Sequence, residues 1–242
     1  EHCRIVYACE SGSRAWGFAS TDSDYDVRFI YHKPIDWYLS IDSTEETINA
    51  MLPNDIDLCG WELKKAMKLF SKSNLCLFEW TNSPEIYLKN KNFHTALKEL
   101  ISDYFNPKKS LYHYLSMANK IEANFFDDKT ISIKKICYLL RALLACYWII
   151  NNQTMPPTEF SKLYINAMLP LHICRHIDEI KIKKSYASEN DVIELDPELC
   201  KWIESALNKI NYLTNQIKAN RNFNLEPLNE LLRVTIKNDR DI

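Results

Sequence analysis

The apolar pattern of this chain changes its period once along its length. Residues 4–9, Arg-Ile-Val-Tyr-Ala-Cys, are β-branched and aromatic enough for a buried strand. Residues 25–31, Tyr-Asp-Val-Arg-Phe-Ile-Tyr, alternate as a half-buried strand does. Residues 43–51 and 55–59 read as two further strands. From Trp61 the periodicity turns helical, and from about residue 93 no strand is expected. Helical patterns there cover 93–104, 109–126, 131–151, 158–168, 174–184, 196–219 and 226–236. The expected class is α+β, with a small mixed sheet in residues 1–90 and an all-helical domain in residues 91–242.

With 242 residues, 46% of them hydrophobic, the chain can bury one large core or two modest ones. Its net charge of −2 argues against strong nonspecific nucleic-acid binding, which needs a basic excess to displace counterions. Residues 1–90 carry nine Lys and Arg against fourteen Asp and Glu, and the remainder carries twenty-one against eighteen. The acidic part suits cations and the mildly basic part suits an anion. None of the eight cysteines forms a Cys-x-x-Cys pair, and most lie in apolar runs such as Leu75-Cys76-Leu77. They read as reduced core residues of a cytoplasmic protein. His172-x-Cys174-x-His176 lacks a second ligand pair and does not read as a zinc site. The chain opens Glu1-His2-Cys3 without Met and without a signal-peptide pattern, so preceding residues are expected. The longest apolar stretch, Ile136 to Ile150, is broken by Arg141 and is shorter than the roughly 20 residues a membrane span needs. A buried helix is expected there, and no membrane association.

The three glycines are Gly12, Gly17 and Gly60. Gly12-Ser13 follows the first strand, Asp24-Tyr25-Asp26 opens the next, and Asp57 sits between apolar neighbours shortly before Gly60. Asp24 and Asp26, two apart on a strand, point to one face. A carboxylate pair plus a third from a neighbouring strand suits two Mg²⁺ ions. Asp57 would complete the ion that activates an acceptor hydroxyl and take its proton. A helix beginning at Gly12-Ser13 would offer N–H groups to phosphate, Ser13 a hydroxyl, and Gly12 a close backbone approach. Arg14 would reach the phosphate or pair with Glu10. Asp55 shares the Asp57 strand face and competes with it. Gly17 would serve the bend before the second strand, and Gly60 would end the Asp57 strand and open a helix.

At these residues the chain resembles the DNA polymerase beta-like nucleotidyltransferases. The string from Glu10 through Ser-Gly-Ser-Arg-Ala-Trp-Gly-Phe-Ala-Ser-Thr-Asp-Ser-Asp-Tyr-Asp-Val-Arg to Phe29 is similar to the RNA-ligase-associated branch, the RlaP or YcgL type. Asp57-Leu-Cys-Gly-Trp-Glu-Leu-Lys-Lys-Ala66 and Lys134-Lys135-x-x-Tyr138-x-x-Arg141-x-Leu143-Leu144-Ala145-x-x-Trp148 extend the likeness. Ala142 stands where the resemblance implies a proline. The resemblance implies a polymerase beta-like palm followed by a helical domain that closes on a nucleotide. It implies Mg²⁺, with Mn²⁺ as a substitute, and a nucleoside triphosphate (NTP) as substrate. It places Gly12 and Ser13 in the phosphate motif, Asp24 and Asp26 as the metal pair, and Asp57 as the third carboxylate.

In the helical part, Lys134, Tyr138 and Arg141 share one helix face at i, i+4 and i+7. Such a stripe would hold triphosphate oxygens and a base or ribose. Lys135 beside it and Lys120 on the preceding helix are further candidates. The acceptor is open: an RNA end, another hydroxyl or phosphate, or a protein hydroxyl that takes AMP. A noncatalytic nucleotide sensor is the contrasting reading, which an intact carboxylate triad disfavours.

Overall fold

The five main strands come from the first ninety residues, interleaved with short helices. In order they are β1 (Arg4–Glu10), α1 (Gly12–Trp16), β2 (Tyr25–His32), α2 (Ile35–Tyr38), β3 (Thr47–Leu52), β4 (Ile56–Glu62), α3 (Leu63–Ser71), α4 (Leu75–Thr81) and β5 (Ile86–Lys89). There follow α5 (Lys91–Glu99), α6 (Ile101–Tyr104), α7 (Pro107–Ala123), β6 (Thr130–Ser132), α8 (Ile133–Asn152), α9 (Phe160–Asn166), α10 (Leu171–Tyr186), β7 (Val192–Glu194), α11 (Pro197–Thr214) and α12 (Glu226–Lys237). This computed structural model describes residues 3–20, 22–41, 45–123, 130–188, 191–219 and 224–237.

The sheet has the order β3-β4-β2-β1-β5. The β2–β4 pair is parallel, and β1–β2, β3–β4 and β1–β5 are antiparallel, so the sheet is mixed and the class is α+β. One sheet face packs Ala8, Phe29 and Tyr31 with Cys3, Ile48 and Leu58. On β2 the alternate positions Asp26, Arg28 and Ile30 share the other face. Glu62, fully buried, ends β4 and caps α3, accepting hydrogen bonds from the Lys64 and Lys65 amides at 2.8 and 3.1 Å.

The chain divides into two compact units. The first comprises Glu1–Ala15, Asp24–Phe105 and Arg221–Ile242, and so includes α5, α6 and α12 with the sheet. The second comprises Trp16–Ser23 and Asn106–Asn220. Its core runs along α8, where Ile136, Leu139, Leu140, Leu143, Leu144 and Ile149 are buried. A segment lying between the glycine-serine motif and the Asp24-Tyr25-Asp26 motif therefore belongs to the helical unit.

Three expectations need correction. Two short strands, β6 and β7, pair antiparallel beyond residue 93. Each is three residues with one central isoleucine, Ile131 or Ile193, too short to show a period. The strand β5 was also not expected. Gly60 does not end its strand, because β4 continues to Glu62. A Cβ at Gly60 would sit 2.2 Å from the ring of Phe29, its register partner, so Gly60 makes room for that ring. Of the cysteines, Cys9, Cys137 and Cys146 are buried, Cys76 is exposed and all eight are free thiols. Among the described residues no helix is long and apolar enough to cross a membrane.

Candidate active site

The parallel register of β2 on β4 places Asp26 opposite Asp57. Both side chains are partly accessible, and one guanidinium joins them. Arg28 Nη2 lies 2.6 Å from Asp26 Oδ1 and 2.8 Å from Asp57 Oδ2. Its Nη1 donates to the Asp57 carbonyl at 2.9 Å. Arg28 follows Asp26 by two strand positions, so its side chain emerges on the same face. This charge-assisted bridge fixes the carboxylate pair.

Asp26 is held from behind by residues 10–12. Its amide donates to Glu10 Oε1 at 2.7 Å, and its carbonyl accepts from the Ser11 amide at 2.9 Å. Gly12, at φ +59, opens α1 with its Cα against the Asp26 carboxylate. A Cβ there would lie 1.9 Å from Asp26 Oδ2. Glycine is thus required twice at this position, once for the left-handed backbone and once for the contact. Glu10 is 1% exposed, and its other carboxylate oxygen accepts from the Tyr87 hydroxyl. Burial raises the Asp26 carboxyl above its ordinary value. Arg28 works against that rise, and the neighbouring charges of Glu10, Asp57 and Asp24 add smaller contributions to it.

The other expected residues are placed less closely. Asp24 is exposed and precedes β2 instead of lying in it. The carboxylates of Asp24, Asp26 and Asp57 do not form a group within 4.8 Å of one another. Asp55 is exposed, in the turn before β4, at φ +55. Arg14 Nε donates to the Asp24 carbonyl at 3.1 Å, and its guanidinium lies 3.7 Å from the Tyr25 ring centre. Ser13 is buried.

In the helical unit, Lys120 and Lys135 are exposed and Lys134 is half-buried. Arg141 is 2% exposed. Its guanidinium lies 4.1 Å from the Trp16 ring centre and bonds the Thr158 carbonyl at 3.3 Å. Tyr138 packs edge-on against Trp16 at 4.9 Å, and Phe18 packs against Phe160 at 5.5 Å. Ala142 is fully buried.

The sequence pattern assigns no role to Arg28 or Tyr87, and to Glu10 only that of a partner for Arg14. Arg28 had a readable signal: Asp24, Asp26 and Arg28 alternate toward one strand face. Glu10 was readable as a carboxylate closing an apolar strand. Tyr87 gave none, because β5 itself went unread. His176, Asp196 and Glu198 also gather their ligand atoms within 4.8 Å, on the surface. There Asp196 Oδ1 caps α11 by accepting from the Glu198 amide at 2.8 Å.

The donor set around Asp26 fits a hard divalent cation. It consists of carboxylate oxygens, one of them burdened by burial and by neighbouring negative charge. The chain is 36% identical to the Bacillus subtilis (strain 168) uncharacterized protein YcgL over 234 residues, 97% of this chain and 90% of that one. A solved nucleotidyltransferase-like protein from Exiguobacterium sibiricum 255-15 aligns over 89% of this chain and 69% of its own, at 13% identity and a TM-score of 0.30. The family described as the RNA repair pathway DNA polymerase beta family, RlaP, matches residues 1–234. With that match over nearly its whole length, the chain belongs to the RlaP family and to its general nucleotidyltransferase type.

Proposed function

We propose that this protein transfers a nucleoside monophosphate from a triphosphate to a hydroxyl or phosphate acceptor, with an RNA end as the leading acceptor class. The observation that carries the reading is the register pairing of Asp26 with Asp57, with Gly12 packed on the Asp26 carboxylate. The RNA-repair description of the family supports the choice of acceptor.

In this reading Asp24, Asp26 and Asp57 would hold two Mg²⁺ ions, which would supply neutralisation of phosphate charge and a more acidic acceptor hydroxyl. Mn²⁺ would substitute. Asp57 takes the acceptor proton. The acceptor oxygen bonds to the α-phosphorus, the bond from that phosphorus to its bridging oxygen breaks, and pyrophosphate leaves. Gly12 and Ser13 line the phosphate side, and Arg14 braces the Asp24 carbonyl. Lys120, Lys134 and Lys135 are the helical-unit cations proposed for triphosphate oxygens. Tyr138 and Arg141, packed on Trp16, would shape the helical unit.

The test is incubation with each α-labelled triphosphate, Mg²⁺, and total cellular RNA or protein. Label moving to RNA supports the reading, and label moving to protein makes the acceptor a protein hydroxyl. Transfer that persists in excess EDTA would sink the metal mechanism.

A further inference from the structure

The helical unit buries a charge that its packing does not require. Lys184, near the end of α10, is 2% exposed. The buried residues of that helix are otherwise Ile173, Ile177 and Ile180. A buried ammonium is unfavourable without an anionic partner, and a Met of similar length would fill the space without that penalty. Among the described residues, Lys184 Nζ has one hydrogen-bond partner, Ser20 Oγ at 2.6 Å.

Ser20 closes a turn with Ser23. Their hydroxyl oxygens are 3.0 Å apart, the Ser20 amide donates to Ser23 Oγ at 2.9 Å, and the Ser23 amide donates to the Ser20 carbonyl at 3.2 Å. Both serines are buried. The ammonium has donors only, so Ser20 Oγ accepts from it while sharing a second hydrogen bond with the Ser23 hydroxyl. One buried cation therefore anchors this turn at Ser20. The next residue in the chain is Asp24. The earlier half of the same segment is held by rings, Trp16 on Tyr138 and Phe18 on Phe160.

We propose that Lys184 is a positioning residue for nucleotidyl transfer: it locks the Ser20–Ser23 turn and, through the chain, the setting of Asp24 and Asp26. This rests on the function proposed above. The role is not a direct contact with substrate, and it needs a donor at 184 and an acceptor at 20.

The test uses the full chain as wild type, Lys184→Met, Ser20→Ala and the double variant. Three quantities are measured: melting temperature, Mg²⁺-dependent transfer from a labelled triphosphate, and Mn²⁺ affinity by electron paramagnetic resonance. Lys184→Met should melt at or above the wild-type temperature, while kcat falls about 10-fold or more and KM for the triphosphate stays within about 2-fold. The double variant should be no worse than the worse single variant, because both act through one bond. A folded Lys184→Met protein with wild-type kcat overturns the proposal, and so do losses that add in the double variant. If Lys184→Met does not fold, Ser20→Ala decides: a matching kcat loss supports the proposal and an unchanged kcat overturns it. If the wild type transfers nothing, the functional reading fails and Mn²⁺ affinity decides for Lys184. Binding about 10-fold weaker in either single variant supports the positioning role, and unchanged binding refutes it.

Discussion

Arg28 and Arg141 are both held by several partners, but by partners of different chemistry. Arg28 sits on a strand at the sheet surface, between two carboxylates at 2.6 and 2.8 Å. Arg141 sits inside an apolar helix, on the Trp16 ring face and the Thr158 carbonyl. The first cation balances charges that can instead face a metal or a phosphate. The second is surrounded by rings and carbonyl oxygen, where a neutral side chain could not satisfy the same groups. An arginine in an apolar helix attracts notice in a sequence, yet the one among alternating strand residues touches the candidate chemistry.

Substitutions can break this contrast. The largest effect is expected for Asp24→Asn with Asp26→Asn, which should cut transfer at least about 1,000-fold by removing the charge that meets the cations. Asp26→Asn alone should not cost stability in metal-free protein. The folded state holds the Asp26 proton above the ordinary carboxyl value of 3.8, where the unfolded chain releases it. Stability therefore declines as pH rises from 3.8 through the folded value, and the Asn variant escapes that decline. Its melting temperature at neutral pH should equal or exceed that of the wild type.

Arg141→Ala should destabilise by about 3–5 kcal/mol, through the cavity against Trp16 and the abandoned Thr158 carbonyl. Denaturant titration measures this, and the triphosphate KM of the remaining folded protein should hold. A raised KM with unchanged stability would instead give Arg141 the nucleotide contact. Gly12→Ala forces a left-handed alanine onto Asp26 and should cost roughly 1–2 kcal/mol, together with most of the transfer rate. Arg28→Met should cost about 1 kcal/mol in metal-free protein, since Asp26 and Asp57 then repel unbridged. Saturating Mg²⁺ should restore the loss, because it binds the folded state alone. A deficit that Mg²⁺ leaves untouched would place Arg28 with Arg141 as a packing residue.

The sequence showed the first two strands, the β4 strand and most helices, because those segments are long enough for a period to register. It missed β5, β6 and β7, which are four residues or fewer. It identified Asp26 and Asp57 by motif but could not give their register, which depends on the parallel pairing of β2 with β4. It placed Asp24 on the strand, whereas β2 begins at Tyr25. Glycine scarcity pointed correctly to places of close approach, yet the partners differ: a carboxylate at Gly12 and an aromatic ring at Gly60. Lys184 and Ser20 lie far apart in sequence, so no local pattern joins them.

The central claim is that the Asp26–Asp57 pair is a cation site serving nucleotidyl transfer. Mn²⁺ binding and Mg²⁺-dependent label transfer, measured side by side for the wild type and for Asp26→Asn with Asp57→Asn, test it most directly. The account predicts that the folded double variant loses both Mn²⁺ binding and transfer. A double variant that still binds Mn²⁺ at wild-type affinity and still transfers label would contradict it.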